Sequence, residues 1–508
     1  MHRTALALAL TLSLVHAAPA APSGDSYLIL RDGRIVQGPE MAQKEGFVEV
    51  LFKAGTVQVP DELVGGLLLA DQELTFEPRN EEERAQFEKG YIKVDGRWAR
   101  IRDLRRDAEK QVREQLEAAQ DALEHNEWYK RYSEESKHFR WDYTVPKFVA
   151  ERYKRAADAY FEIFARDWKV RRDKSKPKLM INFFSNQREF YRTSGAPSGA
   201  LAYFMFVGDY DLCAFYDRTD ADFTEQVLFH EIGHYLHKLI DADFNYPHWP
   251  GESLCEYYGG AAWDPEAKRL SVGLIQNGRL ATIRSEMANG ERVPLRRLIT
   301  TAGYEDYTWG WSFVHMLLED PRYAKPFRKF FIGLATDKSV KRTRGSGLNL
   351  KNVTGEEVLR YFMECMGLKE ESDLRDLEAE WYRYIEELQF DGKGAKVWEA
   401  QMARRLGERK RALRLFAEAI TEDEASVSAK AHYDYALMLS GGQRIEQLRR
   451  AVVKAPLDAM YRYTLGTQLI GNGEEVEGKR EVQLALEIEP GLDVYEADIE
   501  ALLEATGE

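Results

Sequence analysis

Between residues 26 and 101 apolar and polar positions alternate with a period of two, in short runs broken by glycine-bearing turns. YLILRDGRIVQG sets Asp32-Gly33 between two alternating arms, and GYIKVDGRWARI repeats the device with Asp95-Gly96. Asp-Gly between such arms is a hairpin signal, because it admits the positive φ that tight turns need. With FVEVLFKAGTVQVP between them, the pattern predicts a small β module over 26–101. The period then changes. DLRRDAEKQVREQLEAAQDALEHNEW predicts a helical linker over 102–136, its charges on a solvated face. From 137 the chain alternates: FRWDY as a strand, VPKFVAERYKRAADAYFEIFARDW as an amphipathic helix, KLMINFF as a strand, LAYFMFVGDYDLCAFYD as one or two strands. FTEQVLFHEIGHYLHKLI is helical, and helices dominate from 250 to about 388. Strands first and helices later predict an α+β unit over 137–390.

The tail, 397–508, is helical with a weak internal repeat. Ala417, Ala451 and Ala485 are 34 residues apart, as are the pairs Ala455-Pro456 and Glu489-Pro490, and Tyr461 and Tyr495. A 34-residue period with small residues at helix crossings resembles tetratricopeptide repeats, which implies a surface for a protein partner. A plain helical bundle is the alternative. The expected fold class is thus multidomain α+β: an N-terminal β module, a central α+β domain and C-terminal helical repeats.

Length and charge narrow the class. At 508 residues the chain is too long for one core. A net charge of −14 excludes the basic field of a general nucleic-acid binder. Residues 1–20 have a weakly basic start, the apolar run ALALALTLSLV and then small residues, the layout of a signal peptide cleaved between Ala17 and Ala21. An exported (periplasmic or extracellular) protein is expected, with no later transmembrane segment. Three cysteines, Cys213, Cys255 and Cys365, are too few for a disulfide scaffold and form no CxxC pair, so free thiols with at most one bridge are expected.

The chemistry concentrates at His230-Glu-Ile-Gly-His234. On a helix, positions i and i+4 share a face, so His230 and His234 can address one metal ion while Glu231 takes a proton from water. The same pentapeptide also suits a helix whose histidines are buried and hydrogen-bonded. A catalytic zinc takes three protein ligands. The HExxHxxGxxH scheme fails, since position 237 is His and position 240 is Ile. His237 and His248 are conceivable ligands, but His237 lies a turn further on and is expected at the surface or behind the ligands. Glu252, 18 residues after His234, completes a His, His, Glu set. Glu256, one turn later, can accept a hydrogen bond from the far ring nitrogen of a ligating histidine. Tyr307, opening YTWGWSFVHML, is a candidate donor to a developing oxyanion, though a tyrosine there equally suits core packing.

HEIGH, WPGESLCEY and YTWGWSFVHML together resemble the gluzincin (peptidase MA-like) metallopeptidases over roughly 137–388, most closely those of exported bacterial proteins and more distantly the aminopeptidase-N family. The resemblance implies one Zn2+ per chain held by His230, His234 and Glu252, with Glu231 as general base and Tyr307, followed by Gly310, at the transition state. Aminopeptidases carry a Gly-Ala-Met-Glu-Asn strand whose glutamate holds the substrate amine. Here Gly199-Ala200-Leu201-Ala202-Tyr203 lacks that carboxylate, which favours an endopeptidase of peptides or proteins. The alternative is an exported interaction protein that works through its repeats and carries an inactive metal domain.

Overall fold

A computed structural model describes residues 26–489, apart from 39, 70–77, 79, 95, 198, 206–209, 219, 346–348 and 391–394. The signal-peptide expectation, with its cleavage region at Ala17–Ala21, lies outside the described residues, as do Pro490 and Tyr495 of the repeat pattern.

The chain is mixed α+β, with a helical C-terminal region. The N-terminal strands form two three-stranded antiparallel sheets: 35–37, 27–30 and 64–68 in that order, and 40–44, 47–52 and 55–60. Gly33 takes φ +88° in the first Asp-Gly turn, a conformation that favours glycine. The module is not purely β, because Glu81–Phe87 is a helix capped by Asn80. The helix Ile101–Glu124 is not simply a solvated linker. Its buried Ala119 packs with Tyr27 and Leu68, so one face is glued to the β module.

Five strands make the central sheet, in the order 202–205, 211–215, 180–184, 140–143, 132–135. The three inner strands run parallel and both edges are antiparallel. The edge strand Tyr132–Glu135 falls where the sequence pattern indicated linker, since its four residues carry too few apolar positions to show a strand period. Lys147–Trp168 crosses between the first two parallel strands and buries ten residues, including Tyr153, Tyr160, Phe164 and Trp168. Tyr203 and Phe204 lie on the outer strand, and Phe204 meets Tyr235 of the metal-motif helix at 6.5 Å between ring centroids.

The helices that follow form one aromatic core with the sheet. Four of them build the site: Ala221–Lys238 (the metal-motif helix), His248–Gly259 (the glutamate helix), Asn277–Ala288 (the arginine helix) and Glu305–Glu319 (the tyrosine helix). Asp220 caps the metal-motif helix by accepting from Phe223 N at 2.9 Å. Leu228, Phe229, Ile232, Tyr235 and Leu236 are buried around it, so it runs through the core and not along its surface. No helix among the described residues is long and apolar enough to cross a membrane.

Among the described residues from 395 on, six helices pack as three successive pairs, whose first members begin at 395, 429 and 459. Ala451 and Ala485 are fully buried, but Ala417 is exposed. The 34-residue alanine register therefore holds for the last two pairs and not for the first.

Candidate metal centre

The metal-motif and glutamate helices pack closely because Gly233 has no side chain. A Cβ there would sit 2.8 Å from Cys255 Sγ and 3.2 Å from the Tyr160 hydroxyl. The glutamate helix buries ten of its twelve residues. Pro247 precedes its first turn and Pro250 falls inside it, where a missing N–H costs nothing. Ser253 Oγ donates to the Asp306 carbonyl at 2.9 Å, tying this helix to the tyrosine helix. Gly310 permits that approach, since a Cβ would press on Ser253 and on Trp249 Cδ1 at 3.3 Å.

These crossings bring His230, His234 and Glu252 together, with one ligand-type atom from each within 4.8 Å of the others. Glu252 Oε2 lies 3.2 Å from His230 Nε2 and 3.5 Å from His234 Nε2. That oxygen is buried and makes no hydrogen bond of acceptable geometry. The nitrogens and the oxygen are thus close without being aligned on one another. Tetrahedral ligands at about 2.0–2.1 Å from a zinc ion are about 3.3–3.4 Å apart, so the spacing fits a shared cation. The chemistry of the set, two imidazoles and a carboxylate, also fits zinc.

Both imidazoles are oriented from behind by neighbouring residues of the glutamate helix. His230 Nδ1 is 3.1 Å from Glu256 Oε1. Arg279 of the arginine helix clamps Glu256 with two bonds, Nε to Oε2 at 2.9 Å and Nη2 to Oε1 at 2.8 Å. Burial alone would raise the Glu256 pKa, but the Arg279 and His230 charges hold it below the usual carboxylate range. His234 Nδ1 faces Cys255 Sγ at 3.5 Å. With each Nδ1 engaged from behind, each Nε2 is left toward Glu252. Burial works against charge on His230, yet Glu252 and Glu256 on either side raise its pKa to about 10 in the metal-free protein. Burial likewise opposes ionisation of Glu252, but the two imidazoles hold its carboxyl well below the usual range.

Glu231 is half-buried on the same turn, near enough for its charge to act on His230 and Tyr307. The Tyr307 ring lies parallel to His230, with centroids 5.9 Å apart. Burial, and then the neighbouring Glu252 carboxylate, raise the Tyr307 pKa, so its hydroxyl stays protonated and can donate. Two further groups in this region have no signal in the sequence. Arg279 stands 23 residues from Glu256, a separation that follows no motif. Asp306 adjoins Tyr307 but belongs to no motif; fully buried, it pairs with His248 Nδ1 at 2.5 Å. His248 therefore points at Asp306 and at the Tyr307 ring, 5.6 Å between centroids, and is not part of the His230, His234 and Glu252 group. His237 is buried and faces Cys255, so of the two places expected for it, at the surface or behind the ligands, it is not at the surface. All three cysteines are free thiols, with Cys213 and Cys255 buried.

No protein-family model matches the chain, and no curated protein matches it.

Proposed function

We propose that the chain is an exported zinc metallopeptidase that cuts peptide bonds within its substrates. The observation that carries this reading is the convergence of His230 Nε2, His234 Nε2 and Glu252 Oε2, with that oxygen left unbonded in a buried position. Those three side chains would hold the ion. A zinc ion so held supplies Lewis-acid activation of water, lowering its pKa from 15.7 to about 7.

The chain's own groups then divide the work. Glu231 accepts the proton of the attacking water and returns it to the leaving amine nitrogen. The Tyr307 hydroxyl donates to the substrate carbonyl oxygen as negative charge grows there, which for a single donor is worth about 3 kcal/mol. Glu256, kept ionised by Arg279, holds His230 in one tautomer. The outer strand Ala202–Met205 packs on the metal-motif helix through Phe204 and Tyr235, and offers its free edge to an extended substrate. Gly199–Tyr203 leads into that strand without a carboxylate to hold a terminal amine, which supports internal cleavage.

The test is a peptide-library digest run beside metal analysis. Wild type should hold one zinc per chain and cleave. Glu231→Gln should keep the zinc and lose cleavage at least a hundredfold. Glu252→Ala should lose the zinc. Stoichiometric zinc without cleavage in the wild type would overturn the peptidase reading in favour of an interaction protein acting through its helical repeats. Full zinc retention by Glu252→Ala would remove Glu252 from the ligand set.

A further inference from the structure

Behind the ligand trio, on the opposite side of the His234 ring, lies a second group of metal-ligating atoms. His234, His237 and Cys255 each offer one such atom within 4.8 Å of the others. Cys255 Sγ is 3.5 Å from His234 Nδ1 and 3.9–4.0 Å from the two His237 ring nitrogens. A thiolate at about 2.3 Å and an imidazole nitrogen at about 2.0–2.1 Å from one ion are about 3.5–3.8 Å apart, from tetrahedral to trigonal geometry. The sulfur–nitrogen spacings are therefore within a few tenths of an ångström of those around a shared ion.

The polar groups here are poorly served by ordinary hydrogen bonds. His237 is 3% exposed, packed among the rings of Phe164, Tyr246 and Phe331, and its ring nitrogens have only the Cys255 sulfur as a hydrogen-bond partner. Sulfur is a weak acceptor, and two imidazoles share this one. The Tyr160 hydroxyl, at the edge of the same notch beside Gly233, is buried without a partner. Buried polar groups in native proteins are nearly always satisfied. A cation bound by the thiolate and two neutral imidazoles would satisfy Cys255, His237 and His234 together. The ligand softness selects a thiophilic d10 ion such as Cu+ or Cd2+ over a hard cation.

We propose that His234, His237 and Cys255 form a second metal site, back to back with the first and sharing the His234 imidazole. Binding exchanges the Cys255 S–H bond for a sulfur–metal bond and releases one proton. A neutral imidazole has one lone pair, so a metal on His234 Nδ1 leaves the proton on Nε2 and withdraws that nitrogen from the first site. Loading the second site therefore weakens zinc at the first, making it a metal-responsive off switch.

The test uses the full chain, reduced and stripped with a chelator, and titrated with Cd2+ alone. Wild type should develop the ultraviolet thiolate-to-cadmium charge-transfer band and saturate at one equivalent. Cys255→Ser should show no band, and His237→Gln should need at least tenfold more Cd2+. One equivalent of Zn2+ added beforehand should shift the wild-type midpoint at least tenfold upward. A band that survives in Cys255→Ser would come from Cys213 or Cys365 and would overturn the site. So would unchanged cadmium affinity in His237→Gln. Indifference to zinc in a protein shown by metal analysis to hold zinc at the first site would overturn the shared imidazole. The inference borrows only the role of His234 from the peptidase reading, and the band is read without any activity assay. A band that forms normally in a protein that never binds zinc at the first site would sink the peptidase reading and leave this site standing.

Discussion

Glu256 shows how much a single side chain behind the ligands carries. It is nearly fully buried, and its charge is tolerated because Arg279 gives it a two-pronged partner while His230 takes its other side. Removing one member of such a pair strands a charge out of water, which costs about 3–5 kcal/mol. Arg279→Met should therefore lower the unfolding free energy from a denaturant titration by an amount of that order. It should also weaken zinc binding about 10–100-fold, as loss of a group that orients a ligating histidine does. Equal zinc affinity in Arg279→Met and wild type, measured by competition with a chelating dye, would separate Arg279 from the metal centre. The i+4 spacing from Glu252 already singled out Glu256 in the sequence. Arg279 was not legible, because a helix period says which residues share a face and nothing about which other helix supplies the counter-charge.

At the scale of elements, two glycines decide whether the site exists. Gly233 lies inside the metal motif and Gly310 follows Tyr307 by one turn, and both stand where two helices cross. Their absent side chains let the glutamate helix contact the metal-motif helix on one flank and the tyrosine helix on the other. Adding even one methyl group to a close-packed crossing costs about 1–3 kcal/mol. Gly233→Ala should lose stability of that order in a denaturant titration. It should also weaken zinc binding, because the Cys255 contact pushes Glu252 and Glu256 away from the histidines together. An unaffected zinc affinity would show that the helices can slide apart without moving the ligands. Gly310 matched the sequence pattern next to the tyrosine, and its contacts give the reason as packing and not chemistry.

Across the whole molecule, the first and last of the described elements meet. Leu457, in the turn before the helix Ala459–Gly471, and Leu484, in the helix Glu475–Ile488, complete the core of the N-terminal strands, alongside Leu28, Val48, Val50 and Val59. Glu487 accepts from both Lys53 N at 2.7 Å and Ala54 N at 2.9 Å, capping the turn between strands 47–52 and 55–60. Arg34 donates to the Leu457 carbonyl at 2.5 Å. Truncating a buried leucine costs about 2–5 kcal/mol. Leu484→Ala should therefore speed amide hydrogen exchange in residues 47–60 as well as in its own helix. Fast exchange confined to the helix would mean that the β module is stable without it. The module also touches the central domain, where Gly33 lies against Val149 and Pro146. The β strands thus bridge the C-terminal helices and the central domain, a closure that local periodicity does not report.

The sequence by itself determined what is periodic and local: the strands of the first hundred residues, the helix through His230 and His234, the i+4 pair Glu252 and Glu256, and the helical tail. Those features depend on a period of two or 3.6 and on spacing within a few turns, and both are written in residue order. Tertiary structure decided the rest. It set His248 against Asp306 and buried His237 behind His234 against Cys255. It brought Arg279 to Glu256 and left Ala417 exposed, although its sequence spacing suggested burial at a helix crossing. Each of these outcomes depends on which helices cross and how closely. That is fixed by the summed packing of distant side chains, which no single segment contains.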